Sequence, residues 1–541
     1  MQSILSLIGI YSLANFLLLL NRGIYWDSWN WLTIIKGGNY GKLWGILSNG
    51  QLYLNYFLMR MAGESGQSIY LVKTAAFASW IIAGICLYLI LKNEILVPEK
   101  RAFFLTAYFL TVPTFLVKIE TSVLNYSILN AIFFLAALIY FQAQKIKNSA
   151  LALTTYAVSW LLFFMSFLAN SFLVFFGGFL LASLFLYFKK YQKTFNNKQL
   201  IANWIKNNLL FIIAPIIFWI IKSATKTAEG PFADYNEFIF LKENFLSLLT
   251  VNSWNGVIYG FFWPLTAPLA ILQRKIFAAI FFFSAAIIYF LTKKSATETK
   301  LENDFSAKTY FVWGLIFFSF GLLPYVLVGK GPHIFGYGFG MRNALLLPLG
   351  SGLIILGSLM AIAKEKWQAV IEIMLLSLFT TFTIFNYFWQ DMDWYKQQGI
   401  ITNLRETADT QIKNASTIIF HDKLPGLNWQ NRNIGLGDYL GYVREAFPDM
   451  KFAAPAGIDA KEGFSQNILN QYLAYKKSGI FPKNFQPDKK TADVLITTNS
   501  AKELFTVSKW LKLKKYEIFY PKEIFLNQIK EELQIETRLL K

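Results

Sequence analysis

The sequence predicts a polytopic α-helical membrane protein of about eleven transmembrane helices over residues 1–388, followed by a C-terminal α/β soluble domain over residues 389–541. Three observations predict it. Of 541 residues, 55% are hydrophobic and 18% aromatic while only 15% are charged, well below the roughly 25% charged residues of ordinary soluble domains. Apolar runs of bilayer-spanning length recur as far as residue 388 and then stop. Beyond that point short strand-like stretches alternate with amphipathic ones.

The spanning runs lie at about 3–20, 69–91, 102–118, 123–142, 150–167, 170–188, 208–222, 276–292, 310–328, 344–363 and 367–388. The first lacks a basic leader and a small-residue cleavage site, so it is expected to stay in the membrane. A further apolar stretch, Val257 to Leu272, contains Pro264 and Pro268. Proline removes a backbone donor and bends a helix, so a broken, re-entrant or interfacial segment is one reading there and a crossing is the other.

Charge sets the orientation. The formal net charge is +19; from Trp389 onward 22 Lys+Arg stand against 18 Asp+Glu, and the other 388 residues hold 29 against 14. Excess basic charge around apolar helices is what cytoplasmic loops and anionic headgroups select, so membrane lipids are the implied partner and nucleic acid is not. The loop from Lys189 to Lys206 has five lysines and no acid, which assigns it to the cytoplasm. The basic loops at 92–101, 145–147, 293–308 and 364–366 then share that side, provided 257–272 does not cross. Eleven crossings put the N-terminus inside and the C-terminal domain outside the plasma (inner) membrane. The external side then collects the first loop (21–68), the turn at Lys118–Ser122, and the loops at 223–256 and 329–343.

In the C-terminal part, Ser416–Phe420 and Val494–Thr498 read as buried strands, and Gly437–Phe447 and Ala501–Leu513 as helices. No glycine-rich phosphate fingerprint occurs. The single Cys86 excludes a disulfide framework and a cysteine metal site. With only two histidines and no HExxH pattern, most histidine metal sites are excluded as well.

External carboxylates are few. Asp27 sits within Tyr25-Trp26-Asp27-Ser28-Trp29-Asn30-Trp31, just past the first span. A carboxylate among indole rings is poorly solvated and so a better base, and Tyr25, Trp26 and Trp29 could stack on a sugar. An ordinary interfacial aromatic belt is the competing reading. Glu120, in a short turn between spans, is the second acid; a solvated turn paired with Lys118 is its alternative. The Gly329–Asn343 stretch has five glycines, which lets backbone amides approach a ligand, and adds Lys330, His333 and Arg342 as donors. Arg342 at the start of the next span suits a lipid phosphate, or simply snorkels to the interface. Asp391 and Asp393 form an Asp-x-Asp, compatible with a divalent cation or with packing at the junction.

This ordering (an uncleaved helix, an external loop with an early aspartate, many further spans and an external C-terminal domain) resembles the GT-C superfamily of membrane glycosyltransferases that use polyprenyl-phosphate sugars. Tyr25-Trp26-Asp27-Ser28-Trp29 is similar to the Trp-Asp-x-Trp stretches of bacterial members. The resemblance implies that Asp27 is the catalytic base, with Glu120 as the second acid, and that Arg342, with Lys330 or His333, contacts the lipid phosphate. It covers roughly residues 1–388 through layout and two short segments. Many members carry paired acids in the first loop, and this chain does not. No cofactor is required by the resemblance, although a divalent metal is compatible with it. The implied partners are a lipid-linked sugar donor and a glycan, lipid or protein acceptor. Two rival readings are a transporter or flippase of lipid-linked saccharides, and a polymerase or ligase with an arginine-dominated external site.

Overall fold

The fold is taken from a computed structural model, which describes the chain except for residues 27, 37, 39, 50–51, 65–67, 226–243, 296–304, 333–337, 408–416, 423, 433, 435, 448–453, 458–493, 501–505, 534 and 541. Helix α1 (Gln2–Leu20) is followed by three short helices, α2 (Ser28–Lys36), α3 (Tyr40–Asn49) and α4 (Tyr53–Glu64). These three close on their own small cluster, which includes Ile34, Leu43, Leu47 and Tyr56. The bundle continues with α5 (Ser68–Leu89), α6 (Glu99–Thr111), α7 (Leu124–Ala143), α8 (Ser149–Ser166), α9 (Ser171–Tyr191) and α10 (Asn197–Ala224). Then come α11 (Phe245–Val257), α12 (Trp263–Ile271), α13 (Lys275–Ser295), α14 (Ala307–Val326), α15 (Leu347–Ile362) and α16 (Glu365–Thr407).

Among the described residues nine helices are long and apolar enough to cross a membrane, which makes the chain a multi-pass membrane protein. Two of the eleven expected runs, 102–118 and 344–363, form helices shorter than that length, and proline is the physical reason for both. The run at 102–118 is helical only over Glu99–Thr111, because Val112 precedes Pro113 and takes an extended conformation, φ −56° and ψ 129°. At 344–363 the helix starts at Leu347 with Pro348 in its first turn. Both short helices meet a 3₁₀ turn on the same end of the bundle, at Leu116–Ile119 and Gly338–Ala344. With 13 residues α6 is roughly 20 Å long, short of the ~30 Å hydrocarbon layer. Small residues seat α15 directly on α14: a Cβ at Gly350 would lie 2.3 Å from the Phe318 backbone nitrogen.

Helices α11 and α12 form one continuous unit through a π-helical turn, Ile258–Phe262. Near its start Asn252 Oδ1 accepts from Gly331 N at 2.9 Å, and just past its end Arg274 lies 5.6 Å over the Phe385 ring. Both contacts are on the end of the bundle that carries the two 3₁₀ turns, so this unit enters and leaves there without crossing. The basic loops gather on the opposite end, joined by Lys145–Glu94 at 2.8 Å, Lys92–Glu99 at 2.8 Å and Arg101 Nη1 donating to Phe305 O at 3.5 Å.

Position 388 lies inside α16, whose 43 residues reach roughly 65 Å, about twice the hydrocarbon thickness. The two parts of the chain are thus joined by continuous helix. Around its upper half pack α17 (Leu436–Ala446), α18 (Val507–Phe519) and α19 (Lys522–Leu533). Four short strands, β1 (Thr417–Asp422), β2 (Ala454–Gly457), β3 (Val494–Ser500) and β4 (Ile535–Leu540), pair in the order β2-β1-β3-β4. The first two pairings are parallel and β3–β4 is antiparallel.

Candidate functional site

Asp27 and His333 lie outside the described residues; the neighbours of Asp27 define its setting. Trp26 has φ +43°, a left-handed conformation that a tryptophan adopts only under constraint. The constraint comes from the C-terminal part: Arg432 lies 5.3 Å over the Trp26 ring, and Trp429 meets that ring edge-on at 5.1 Å.

On the other side of Asp27, Ser28 opens α2, and Glu120 closes over that helix end. Glu120 Oε1 accepts from Ser28 N at 3.1 Å, from Ser122 Oγ at 3.1 Å and from Ser28 Oγ. The first N–H groups of a helix have no partner within it and carry partial positive charge, so a buried carboxylate there is doubly favoured. Glu120 is 1% exposed. Lys118, its expected partner, is turned away, with its ammonium 5.4 Å over the Tyr11 ring and 5.3 Å over that of Trp80. The solvated Glu120–Lys118 turn does not form.

The glycine-rich stretch joins the same region. The Leu116–Ile119 turn packs on the Gly338–Ala344 turn that carries Arg342. Gly329 has φ +68°, a backbone that glycine adopts without penalty, and Asn343 Nδ2 donates to Gly331 O at 3.5 Å. That bond brings Lys330 and Arg342 to the same end of their loop. The first loop, the 112–122 turn and the 338–344 turn therefore meet at one end of the bundle.

The aromatic residues divide. Tyr25 and Trp29 are fully buried, with Trp29 against Trp394 at 6.3 Å and Tyr442 at 5.4 Å. Tyr25 Oη donates to Gln390 O at 2.8 Å, and Trp29 Nε1 donates to Gln397 Oε1 at 3.1 Å. Both residues bind the loop to α16, and their ring faces are occupied by protein. Trp26 remains partly exposed. Comparison with family models, with curated proteins and with solved structures returned no match.

Two ion clusters, which the sequence did not reveal, fix this loop to α16. Asp391 Oδ1 accepts from Asn21 Nδ2 at 2.6 Å and from Lys514 Nζ at 2.9 Å, and Lys514 also reaches Glu517 at 2.6 Å and the Leu20 carbonyl at 3.1 Å. Lys73 Nζ donates to the Asn21 and Gly23 carbonyls at 2.7 and 2.9 Å, closing the end of α1. Burial alone would lower the Lys514 pKa, but Asp391 and Glu517 outweigh it and hold the ammonium above its ordinary value. On the opposite face of α16, Arg432 grips Asp393 through two bonds of 2.7 and 3.1 Å and reaches Asp438 at 3.1 Å. Burial disfavours this cation too; the two carboxylates prevail and keep it firmly charged. The Asp-x-Asp pair thus points two ways, since residues two apart on a helix are about 200° apart. Each acid is met by a protein cation rather than converging on one ligand. A charge inside an apolar run, such as Lys73, was the available signal for the first cluster.

Proposed function

We propose that this protein is a membrane glycosyltransferase of the GT-C type, moving a sugar from a polyprenyl-phosphate donor to an acceptor hydroxyl on the external face. The observation that carries the reading is the convergence of three short segments, bearing Asp27, Glu120 and Arg342, at the end of the bundle opposite the basic loops. By the positive-inside rule those loops face the cytoplasm, so the site end faces out of the plasma membrane. The C-terminal residues, with their four strands and three helices around the upper half of α16, then form an external α/β unit beside the site.

Asp27 accepts the proton of the acceptor hydroxyl as it attacks the anomeric carbon, and a single displacement inverts that carbon. Arg342 and Lys330 stabilise the phosphate as its bond to the sugar breaks. Glu120 acts through Ser28, holding the α2 end and so the Asp27 loop. Trp26, being partly exposed, is the ring left to contact the sugar.

Asp27→Asn should abolish transfer from a lipid-linked sugar in proteoliposomes while leaving gel filtration and melting unchanged. Transfer at the wild-type rate removes the base assignment. If Arg342→Lys alone abolishes it, an arginine-centred ligase or polymerase is the better description.

A further inference from the structure

At the basic end of the bundle, opposite the candidate site, α5 departs from regular helix. Its continuation, Ile90–Glu94, is π-helical, and Leu96 has φ +62°. Both features are costly and tend to persist where a site requires them. Both border a polar recess of about 550 Å³ between the ends of α7 and α9 and the start of α10.

The floor of the recess is a closed hydrogen-bonded set. Tyr140 Oη donates to Asn208 Oδ1 at 2.6 Å and lies 2.7 Å from Ser183 Oγ, to which Trp204 Nε1 also donates at 3.3 Å. Lys145, Lys189 and Lys190 form the rim, and the sole carboxylate among the described lining residues, Glu94, is already matched by Lys145 at 2.8 Å. Among the described lining residues, Lys189 and Lys190 are therefore in excess of acidic charge.

The recess does not end at its floor. Ile95, Phe141 and Leu186 also line an adjoining cavity of about 100 Å³ that exposes no polar atom and runs between α5, α7, α9 and α14. Lys189 sits 4.2 Å over the ring of Phe305, a wall residue of that cavity, so cation and apolar space are directly joined. A soluble anion would use the recess alone. A molecule with a phosphate and a hydrocarbon chain uses both, and lysines at a helix end stand at headgroup depth.

We propose that the recess and the cavity together bind one anionic phospholipid, its phosphate at Lys189 and Lys190 and its chain along Phe141 and Leu186. This inference concerns binding at the opposite end from the candidate site and stands whether or not sugar transfer occurs there.

The test is native mass spectrometry of the full chain in detergent, titrated separately with phosphatidylglycerol, phosphatidylcholine and inorganic phosphate. Phosphatidylglycerol should be retained at least tenfold better than phosphatidylcholine, and Lys189→Gln/Lys190→Gln should erase that preference with gel filtration unchanged. Ala182→Phe, which narrows the apolar cavity, should weaken phosphatidylglycerol retention several-fold with both lysines intact. Equal retention of the two lipids by the wild type, or an undiminished preference in the double variant, overturns the proposal. Displacement of the lipid by equimolar inorganic phosphate, or full retention by Ala182→Phe, overturns the lipid assignment.

Discussion

The contact between Glu120 and Ser28 offers a measurement of how the Asp27 loop is held. Three donors converge on Glu120 Oε1: the Ser28 backbone N–H, the Ser28 hydroxyl and the Ser122 hydroxyl. A hydrogen bond to a charged group contributes about 1.5–3 kcal/mol, but three that share one oxygen do not add fully. Glu120→Ala should therefore cost about 3 kcal/mol, because it also strands a buried N–H. Ser28→Ala keeps that N–H bond and should cost about 1 kcal/mol. The double variant should show a coupling of about 1–2 kcal/mol. Glu120→Gln keeps an acceptor without its charge and should recover about half of the loss. Reversible SDS unfolding measures the cycle; transfer assays on the same samples should show a roughly tenfold fall for Glu120→Ala, partly restored in Glu120→Gln, as expected of a positioning residue. Additive costs would refute the argument. So would a fully stable Glu120→Gln that is as inactive as Asp27→Asn, since that would make the carboxyl a reacting group.

Two further outcomes follow from the ion clusters. Arg432→Met leaves Asp393 and Asp438 facing each other in the interior and should destabilise the protein by about 3–5 kcal/mol in the same unfolding assay; an unchanged transition would mean that the cluster is dispensable. Asp422 accepts from Lys396 at 2.6 Å, and although burial alone would raise its carboxyl, Lys396, Asn428 and the Leu424 N–H hold it below the ordinary aspartate value. Its contribution is therefore complete above a pH of about 4 and is lost as pH falls through the lower folded value. Asp422→Asn should flatten the acid limb of melting temperature against pH; an acid limb as steep as that of the wild type would contradict the assignment.

The long helices were legible because a bilayer demands uncharged stretches of a fixed length. The limits of two of them were not, because hydropathy runs smoothly through Val112-Pro113 and Leu347-Pro348 while the backbone does not. Glu120 was legible as an acid in a tight turn. Its role was not, since the bond to Ser28 spans 92 residues of sequence. The Asp-x-Asp motif invited a metal reading because spacing alone does not tell which way a side chain faces. Its cations, Arg432 and Lys514, arrive from 39 and 123 residues away, and no local pattern announces them. Tyr25 and Trp29 show the same limit: an aromatic cluster beside a span reads equally as an interfacial belt, a sugar platform or a buried seam.

Trp26 joins these points physically. A left-handed tryptophan costs about 1–2 kcal/mol, so something outside its own loop must keep it there. A desolvated cation over its ring contributes up to about 2 kcal/mol, and an edge-on aromatic pair about 0.5–1.5 kcal/mol, which together are enough. Both come from the C-terminal part, through Arg432 and Trp429. Arg432 can supply its share only while Asp393, on α16, fixes it in place. The conformation of the residue beside Asp27 is thus set by a chain of contacts running from a spanning helix, through a buried arginine, to an indole in the first loop. On that account the C-terminal residues are part of the site's backbone geometry whatever else they bind, and weakening Arg432 should be felt at Asp27 before it is felt anywhere in the membrane bundle.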